Sequence, residues 1–252
     1  NCWMMTNLNL GATALTTDLT SANTNLSTTV TAATFNGWKK STGTGTYTAG
    51  EYIPVSGTDS TSQTPYGTLY NYCATSAGTI CTSSNSSNAT YDICPKGWRL
   101  PTGGSSGEFQ TLYNNAGYNT NAKMRAPYTS GGAAFALAGG FYGGVPADQG
   151  SYASYWSSTR YDNLAMYVLR LNTSSVSQAY DNDRGYGRSI RCILNDSRTI
   201  SDITTMQEMS PQIAAKMNNG DTATLRDTRD NQDYTIAKIN GNVWMTRNLA
   251  IG

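Results

Sequence analysis

NCWMMTNLNLG (Asn1 to Gly11) returns as NVWMTRNLAIG (Asn242 to Gly252), with Asn, Trp, Met, Asn, Leu and Gly in register and no gap. Ahead of the second copy stands TLRDTRDNQDYTIAKINGN, which reads as two strands and tight turns leading into a third strand. Nothing of the kind stands ahead of the first copy. The chain is therefore expected to open and close at the same point of a repeating unit, with a front strand short of its sheet partners. Those partners would come from the chain's own tail, from a neighbouring molecule or from a longer tandem polypeptide.

In the tail, Tyr234, Ile236 and Lys238 alternate with Thr235, Ala237 and Ile239, so one face is buried while the other packs on a neighbour. Asn240 and Gly241 make a two-residue hairpin turn into Val243 to Leu249. A bare sheet edge exposes backbone donors and acceptors that a strand from another chain satisfies. The residues expected to carry such assembly are Cys2, Trp3, Met4 and Leu8 at the front, and Tyr234, Ile236, Ile239, Val243, Trp244 and Leu249 at the back. The expected partner is another copy of the chain, head to tail, and a heterologous contact that closes no ring makes a filament.

Composition points to an extracellular surface. Charged residues are only 13% of the chain, about half the usual globular share, while Ser, Thr, Asn and Gly crowd the sequence and Tyr, at 17, leads the aromatics. A net charge of +1 with no basic run gives no general attraction to nucleic acid or to an anionic membrane. No apolar run is long enough to insert into a membrane and no signal peptide is visible, so a mature or excised chain is expected. Five cysteines with no histidine and no CxxC pair read as disulfides rather than a zinc site. Cys73 and Cys81 flank a short loop, and Cys94 and Cys192 bracket the central region, where a bridge would contribute about 4 to 5 kcal/mol by the chain-entropy argument. Cys2 is left over, as a buried thiol or an intermolecular bridge.

Residues 12 to 65 read as long loops with a few short strands. A buried strand is expected around Trp98 to Leu100, and a helix from about Ser106 to Asn115 capped by Ser105 or Ser106, with Phe109, Leu112 and Tyr113 on one face. AAFALAGGFYGG (Ala133 to Gly144) reads as a central strand ending in a bulge or tight bend. Tyr155 to Thr159, Leu164 to Leu171, Ser175 to Tyr180 and Arg188 to Leu194 are antiparallel strand candidates. Ser201 to Gly220 reads as a helix with Ser210 as N-cap and Pro211 in its first turn. The expected class is α+β, a twisted antiparallel sheet with one or two flanking helices and long irregular loops. Three parts follow: a domain over 1–197 missing its first hairpin, a helical spacer over 198–220, and a β-hairpin tail over 221–252 that repeats the domain start.

CPKGWRLPT (Cys94 to Thr102), YWSST (Tyr155 to Thr159), SIRCI (Ser189 to Ile193) and the two WMT-type segments together resemble the Fibrobacter succinogenes major paralogous domain family. The order of that family's motifs is kept from Asn1 to Leu194, while its opening hairpin stands out of place at Thr222 to Leu249. The resemblance implies a C-type-lectin-like fold and a secreted or surface-attached bacterial protein. Related lectin-like folds serve as hypervariable binding proteins that carry their variable residues on the YWSST strand and the segment after it. The matching segment here, Tyr152 to Tyr186, is rich in Tyr, Asn, Asp, Ser and Arg, the residue types of adaptable binding surfaces. A second reading is therefore an adhesin or lectin-like module that binds surface glycans or proteins through Tyr152, Tyr161, Tyr180, Arg184 and Tyr186, with Trp38 as an exposed stacking residue.

Without histidine, HExxH or a phosphate loop, the common hydrolase and NTPase chemistries have no residues to run on, and no enzyme is expected. No cofactor is expected either, calcium being the one ion weighed. DNDRG, with Asp181 and Asp183, and DTRDNQD (Asp227 to Asp233) crowd oxygen ligands together, although neither follows the twelve-residue calcium loop and Asx turns account for the same residues.

Overall fold

The computed structural model describes residues 2–10, 24–25, 39–40, 50–85, 87–114, 118–142, 144–194 and 199–246. The chain divides into a large unit, Cys2–Leu194, and a small unit made of Asn195–Gly252 with Asn1. Both are built mainly of antiparallel strands with short helices, the α+β class expected.

The large unit begins with β1 (Thr24–Asn25), β2 (Lys39–Lys40), β3 (Glu51–Thr58) and β4 (Pro65–Tyr70), of which β3 and β4 pair antiparallel and β2 joins β3 in parallel. A single turn, α1 (Tyr72–Thr75), follows, capped by the Asn71 side chain, which accepts from Ala74 N–H and also from Glu51 N–H. After β5 (Asp92–Pro95) and β6 (Trp98–Arg99) comes α2 (Glu108–Asn114). It starts later than Ser106, at Glu108, which Thr102 anchors across the intervening turn. Glu108 N–H donates to Thr102 Oγ1 at 2.9 Å, and Glu108 Oε2 accepts Thr102 N–H at 3.0 Å while its carboxylate also receives Arg99. Phe109 and Leu112 of α2 are buried, as the helical spacing predicts.

Beyond α3 (Asn121–Arg125), residues 133–139 are buried yet form no strand, against the expectation for this apolar run. Their N–H groups at Ala133, Ala134, Phe135 and Gly139 donate to the carbonyls of Lys123, Ala126, Met124 and Tyr152, and side chains from elsewhere meet much of the rest. Arg191 donates to Ala133 O and Ala134 O, Thr64 Oγ1 to Ala134 O and Tyr155 Oη to Ala136 O, while Asp59 Oδ2 accepts Leu137 N–H. Pairing resumes only in β7 (Gly140–Tyr142) with β8 (Val145–Ala147). The expected antiparallel run then appears as β9 (Tyr152–Arg160), β10 (Ala165–Asn172) and β11 (Val176–Asp183), with β10 in the middle. Last, β12 (Ile193–Leu194) pairs with β6. Trp156 sits fully buried among Met166, Val168 and Ile190, its indole N–H donating to Tyr70 O and its ring edge-on to Tyr72. Cys73–Cys81 and Cys94–Cys192 are both bonded, and Cys2 is free and exposed rather than buried.

In the small unit, the single helix expected over 201–220 is replaced by two 3-10 turns, Ile200–Asp202 and Met206–Glu208, and the short α4 (Pro211–Lys216). Thr199 with Asp202 and Thr205 with Glu208 each form a capping box, so the turn restarts instead of propagating. Ser210 caps α4 as expected, accepting from Ile213 N–H. The segment is no spacer, because Ile203, Ile213 and Met217 share one core with Leu225 and Ile236 of the sheet. That sheet has three strands, β13 (Thr222–Asp227), β14 (Gln232–Ile239) and β15 (Asn242–Met245), with β14 central and Asn240–Gly241 in the turn. Lys238 Nζ closes the end of α4, donating to Ala214 O and Met217 O at 2.8 Å each.

Asp92 offers a check on the core of the large unit. Its carboxylate is buried, which pushes its pKa up to about 6, although Leu100 N–H, Asn25 Nδ2 and Cys94 N–H all donate to it. The folded chain therefore holds a proton that the unfolded chain releases near pH 4. Stability should fall by about 3 kcal/mol as pH rises from roughly 4 to 6 and then level off. Urea unfolding across this range should lose that slope in Asp92→Asn, whatever the variant's absolute stability.

Candidate functional site

The two copies of the WM segment use opposite edges. In residues 2–10, Met4 N–H donates to Cys192 O and Leu194 N–H to Cys2 O, both at 2.9 Å, which makes Trp3 and Ile193 a pair that faces away from each other. The front segment, expected to lack its sheet partners, therefore has one on the Ile193 side and an open edge on the other. Trp3 turns its backbone groups to the other edge, where it meets no ladder partner among the described residues, and the chain bends at Met5 and Thr6. In the small unit the parity is reversed. Thr246 N–H donates to Thr235 O, so Trp244 faces β14, while Val243 and Met245 turn outward. Val243 and Met245 occupy the places in the repeat that Cys2 and Met4 hold in the first copy. Each copy lacks the neighbour that the other has.

Side chains follow the same division. Trp3 is half-buried and stacks on Phe109 with ring centroids 5.5 Å apart, edge-on to Phe135. Its counterpart Trp244 is 58% exposed, and Ile239 is exposed as well. Leu8 is buried in the main core, with Met4 packed against that core. Tyr234 and Ile236, expected at an assembly surface, are instead buried inside the small unit, because the buried face of β14 is the one turned to α4 and the 3-10 turns. Leu249 lies outside the described residues.

A second feature of the large unit is an open pocket of about 460 Å³ on β9, β10 and β11. Its wall is a run of alternating tyrosines and arginines. The Arg170 guanidinium lies 4.3 Å from the centre of the Tyr180 ring and 4.9 Å from that of Tyr152. Arg188 lies 5.5 Å from the Tyr152 ring on its own side and 5.0 Å from Tyr186, with Tyr142 next to it. Arg188 is 3% exposed; its Nε donates to Asn182 Oδ1 at 2.5 Å, and its Nη1 has no hydrogen-bond partner. Burial lowers the Arg188 pKa, against the pull of the three tyrosines around it. Asp148, Asp181 and Asp183 complete the lining. Asp148 receives the Tyr142 hydroxyl, which raises the Tyr142 pKa, and Asp183 Oδ1 accepts Gly185 N–H.

Of the expected ligand residues, Tyr152, Tyr180 and Tyr186 converge on this pocket. Tyr161 is exposed elsewhere, edge-on to Tyr167. Arg184 is a correction: it is buried, with Nη1 donating to Thr82 O and Asn85 O and Nη2 to Asp162 O, so it clamps loops instead of facing a ligand. Trp38 lies outside the described residues. Tyr142, Arg170 and Arg188 were not anticipated; the available signal was an arginine inside the apolar strand run MYVLRLN. Asp181 and Asp183 stand on the pocket rim, but among the described residues no three metal-binding side chains converge. The acids of the second calcium candidate are engaged by protein: Asp227 by Arg229 and Gln207, Asp230 by Tyr234 and Asp233 by Arg226.

No family model, curated protein or solved structure matches the chain.

The seat of Arg188 depends on Gly140, since a Cβ there would stand 1.7 Å from Arg188 Nη1. Gly140→Ala should displace the guanidinium and cost about 1–3 kcal/mol, the usual range for overpacking. Chemical denaturation against the parent chain measures the loss.

Proposed function

We propose that this protein is a structural subunit of an extracellular fibre, assembling head to tail through the repeated WM segment. The observation that carries the reading is the opposite edge parity of the two copies. When β15 of one molecule takes the slot of the front segment in the next, Met245 N–H meets Cys192 O as Met4 does now, and β14 lies where Trp3 has an open edge. The combined sheet runs β13, β14, β15, β12, β6. Trp244 then stands where Trp3 stacks on Phe109 and Phe135, which removes its large exposed surface from water. The exchange is inexpensive because Asn, Trp, Met, Asn and Leu replace themselves in register, the usual basis of swapped assemblies. The same sheet arises in a tandem polypeptide if the next unit follows in the same chain.

Two disulfides suit an oxidising, extracellular setting. The CPKGWRLPT, YWSST and SIRCI motifs support a C-type-lectin-like reading of the large unit. No described helix is long and apolar enough to cross a membrane.

Proline substitution tests the edges separately. Met245→Pro removes an N–H that faces away from β14, so the small unit keeps its own ladder but cannot bond Cys192 of a neighbour. Light scattering on a concentration series should show the parent chain growing in mass and Met245→Pro remaining single. Met5→Pro, altered in the strand that is displaced, should assemble like the parent. A parent chain that stays monomeric throughout the series would sink the proposal.

A further inference from the structure

The tyrosine and arginine pocket shares no lining residue with the assembly edges. We infer that it binds a carboxylated sugar, a uronic-acid or sialic-acid residue of a surface glycan. Three features of its chemistry lead there.

First, the pocket holds one guanidinium, that of Arg170, whose donors the protein leaves unanswered. Among the described residues Arg170 stacks on Tyr152 and Tyr180 but donates no side-chain hydrogen bond and forms no ion pair. Arg188 is nearly enclosed behind it, with Nε donating to Asn182 Oδ1 and Nη1 packed against Gly140, so it contributes positive charge to the pocket while Arg170 supplies the open donors. The Tyr152 and Tyr180 rings hold the Arg170 guanidinium, so its fork of N–H groups is positioned before a ligand arrives, and a carboxylate fits that fork with two parallel bonds.

Second, the rim is acidic. Asp148, Asp181 and Asp183 outnumber the two arginines, which opposes a compact multivalent anion such as sulfate or phosphate. The same carboxylates, with Asn182 beside them, accept hydroxyl protons. A neutral sugar would use that rim but leave Arg170 unanswered, and a cation would meet both guanidinium groups. A ligand with one carboxylate and several hydroxyls satisfies both sets.

Third, Tyr180 and Tyr186 are each 40% exposed and present apolar ring surface to the opening, against which the C–H face of a pyranose packs. A volume of about 460 Å³ lies in the range of small-ligand pockets.

The test is isothermal titration of the full chain with digalacturonate, with its methyl ester, with sialyllactose and with lactose. One or both acidic sugars should bind with a Kd of about 1 mM or tighter, and the methyl ester and lactose should bind at least about tenfold more weakly, the loss expected for a charge-assisted fork. Which acidic sugar binds identifies the source. Arg170→Gln should weaken binding by about tenfold or more, whereas Tyr161→Ala, in the turn between β9 and β10 and outside the pocket, should bind as the parent does. Circular dichroism confirms that each variant is folded. Equal binding of ester and acid, an Arg170→Gln chain that binds like the parent, or silence toward both acidic sugars overturns the inference.

Discussion

Cys192 joins the separate parts of the large unit at one residue. Its carbonyl accepts Met4 N–H, its sulfur is bonded to Cys94, and the next two residues, Ile193 and Leu194, pair with Arg99 and Trp98. The bridge closes a ring with a sequence separation of 98 that contains α2, α3 and the strands from β7 to β11. By the chain-entropy argument such a ring removes about 4 to 5 kcal/mol of freedom from the unfolded chain. The front segment is held without a covalent bridge, by backbone bonds to this strand, by Trp3 and Leu8, and by Asn7, which donates to Tyr66 O and accepts from Arg191. It is the neighbour of Cys192 whose sequence is duplicated.

Inside the ring, buried polar side chains do what strand pairing does elsewhere. Arg191 is fully enclosed and ties the 133–134 carbonyls to Asn7 Oδ1 while its guanidinium lies 4.1 Å from the Phe135 ring centre. Asp59 accepts from Thr61, Ser62 and Leu137 backbone N–H groups and has Arg125 beside it. Arg184 holds the 82–85 loop and Asp162 in the same way. Each of these groups is costly to bury alone and stable only with its partners in place, so irregular backbone is kept in a single arrangement.

That division explains what the sequence made legible. The strands from Tyr152 to Asp183 were readable because their alternation and the Asn and Asp turns between them are local signals. The cysteine pairs were readable from spacing, and the repeat from identity in register. Residues 133–139 were not, since an apolar, glycine-rich run looks the same whether its carbonyls meet a strand or Arg191 from 57 residues away. Arg184 looked like a surface residue because its acceptors are carbonyls of a distant loop, which no pattern announces. The 201–220 segment misled for a different reason: Thr205 and Ser210 begin new turns inside a stretch whose apolar spacing alone reads as one helix. Half of the pocket was legible through its tyrosines, while Arg170, Arg188 and Tyr142 come from three elements that meet only in the fold.

Pocket and slot meet on one short stretch of chain without competing for it. Arg188 exchanges backbone hydrogen bonds with Tyr70 and sends its side chain into the pocket; Ile190 and Cys192 accept from Leu8 and Met4 along the assembly edge. A strand exchanged at the slot replaces bonds to residues 190–194 with equivalent ones, so the Arg188 seat against Gly140 and Asn182 is not called on to move. If copies do join head to tail, every link would then present its own pocket at a regular interval. A weak single site suits such an arrangement, because linked sites raise the effective concentration at each next contact and multiply affinity without any new interaction in the pocket. Selectivity would come from the match between pocket spacing and the spacing of acidic residues along a glycan, and an isolated sugar would be released readily.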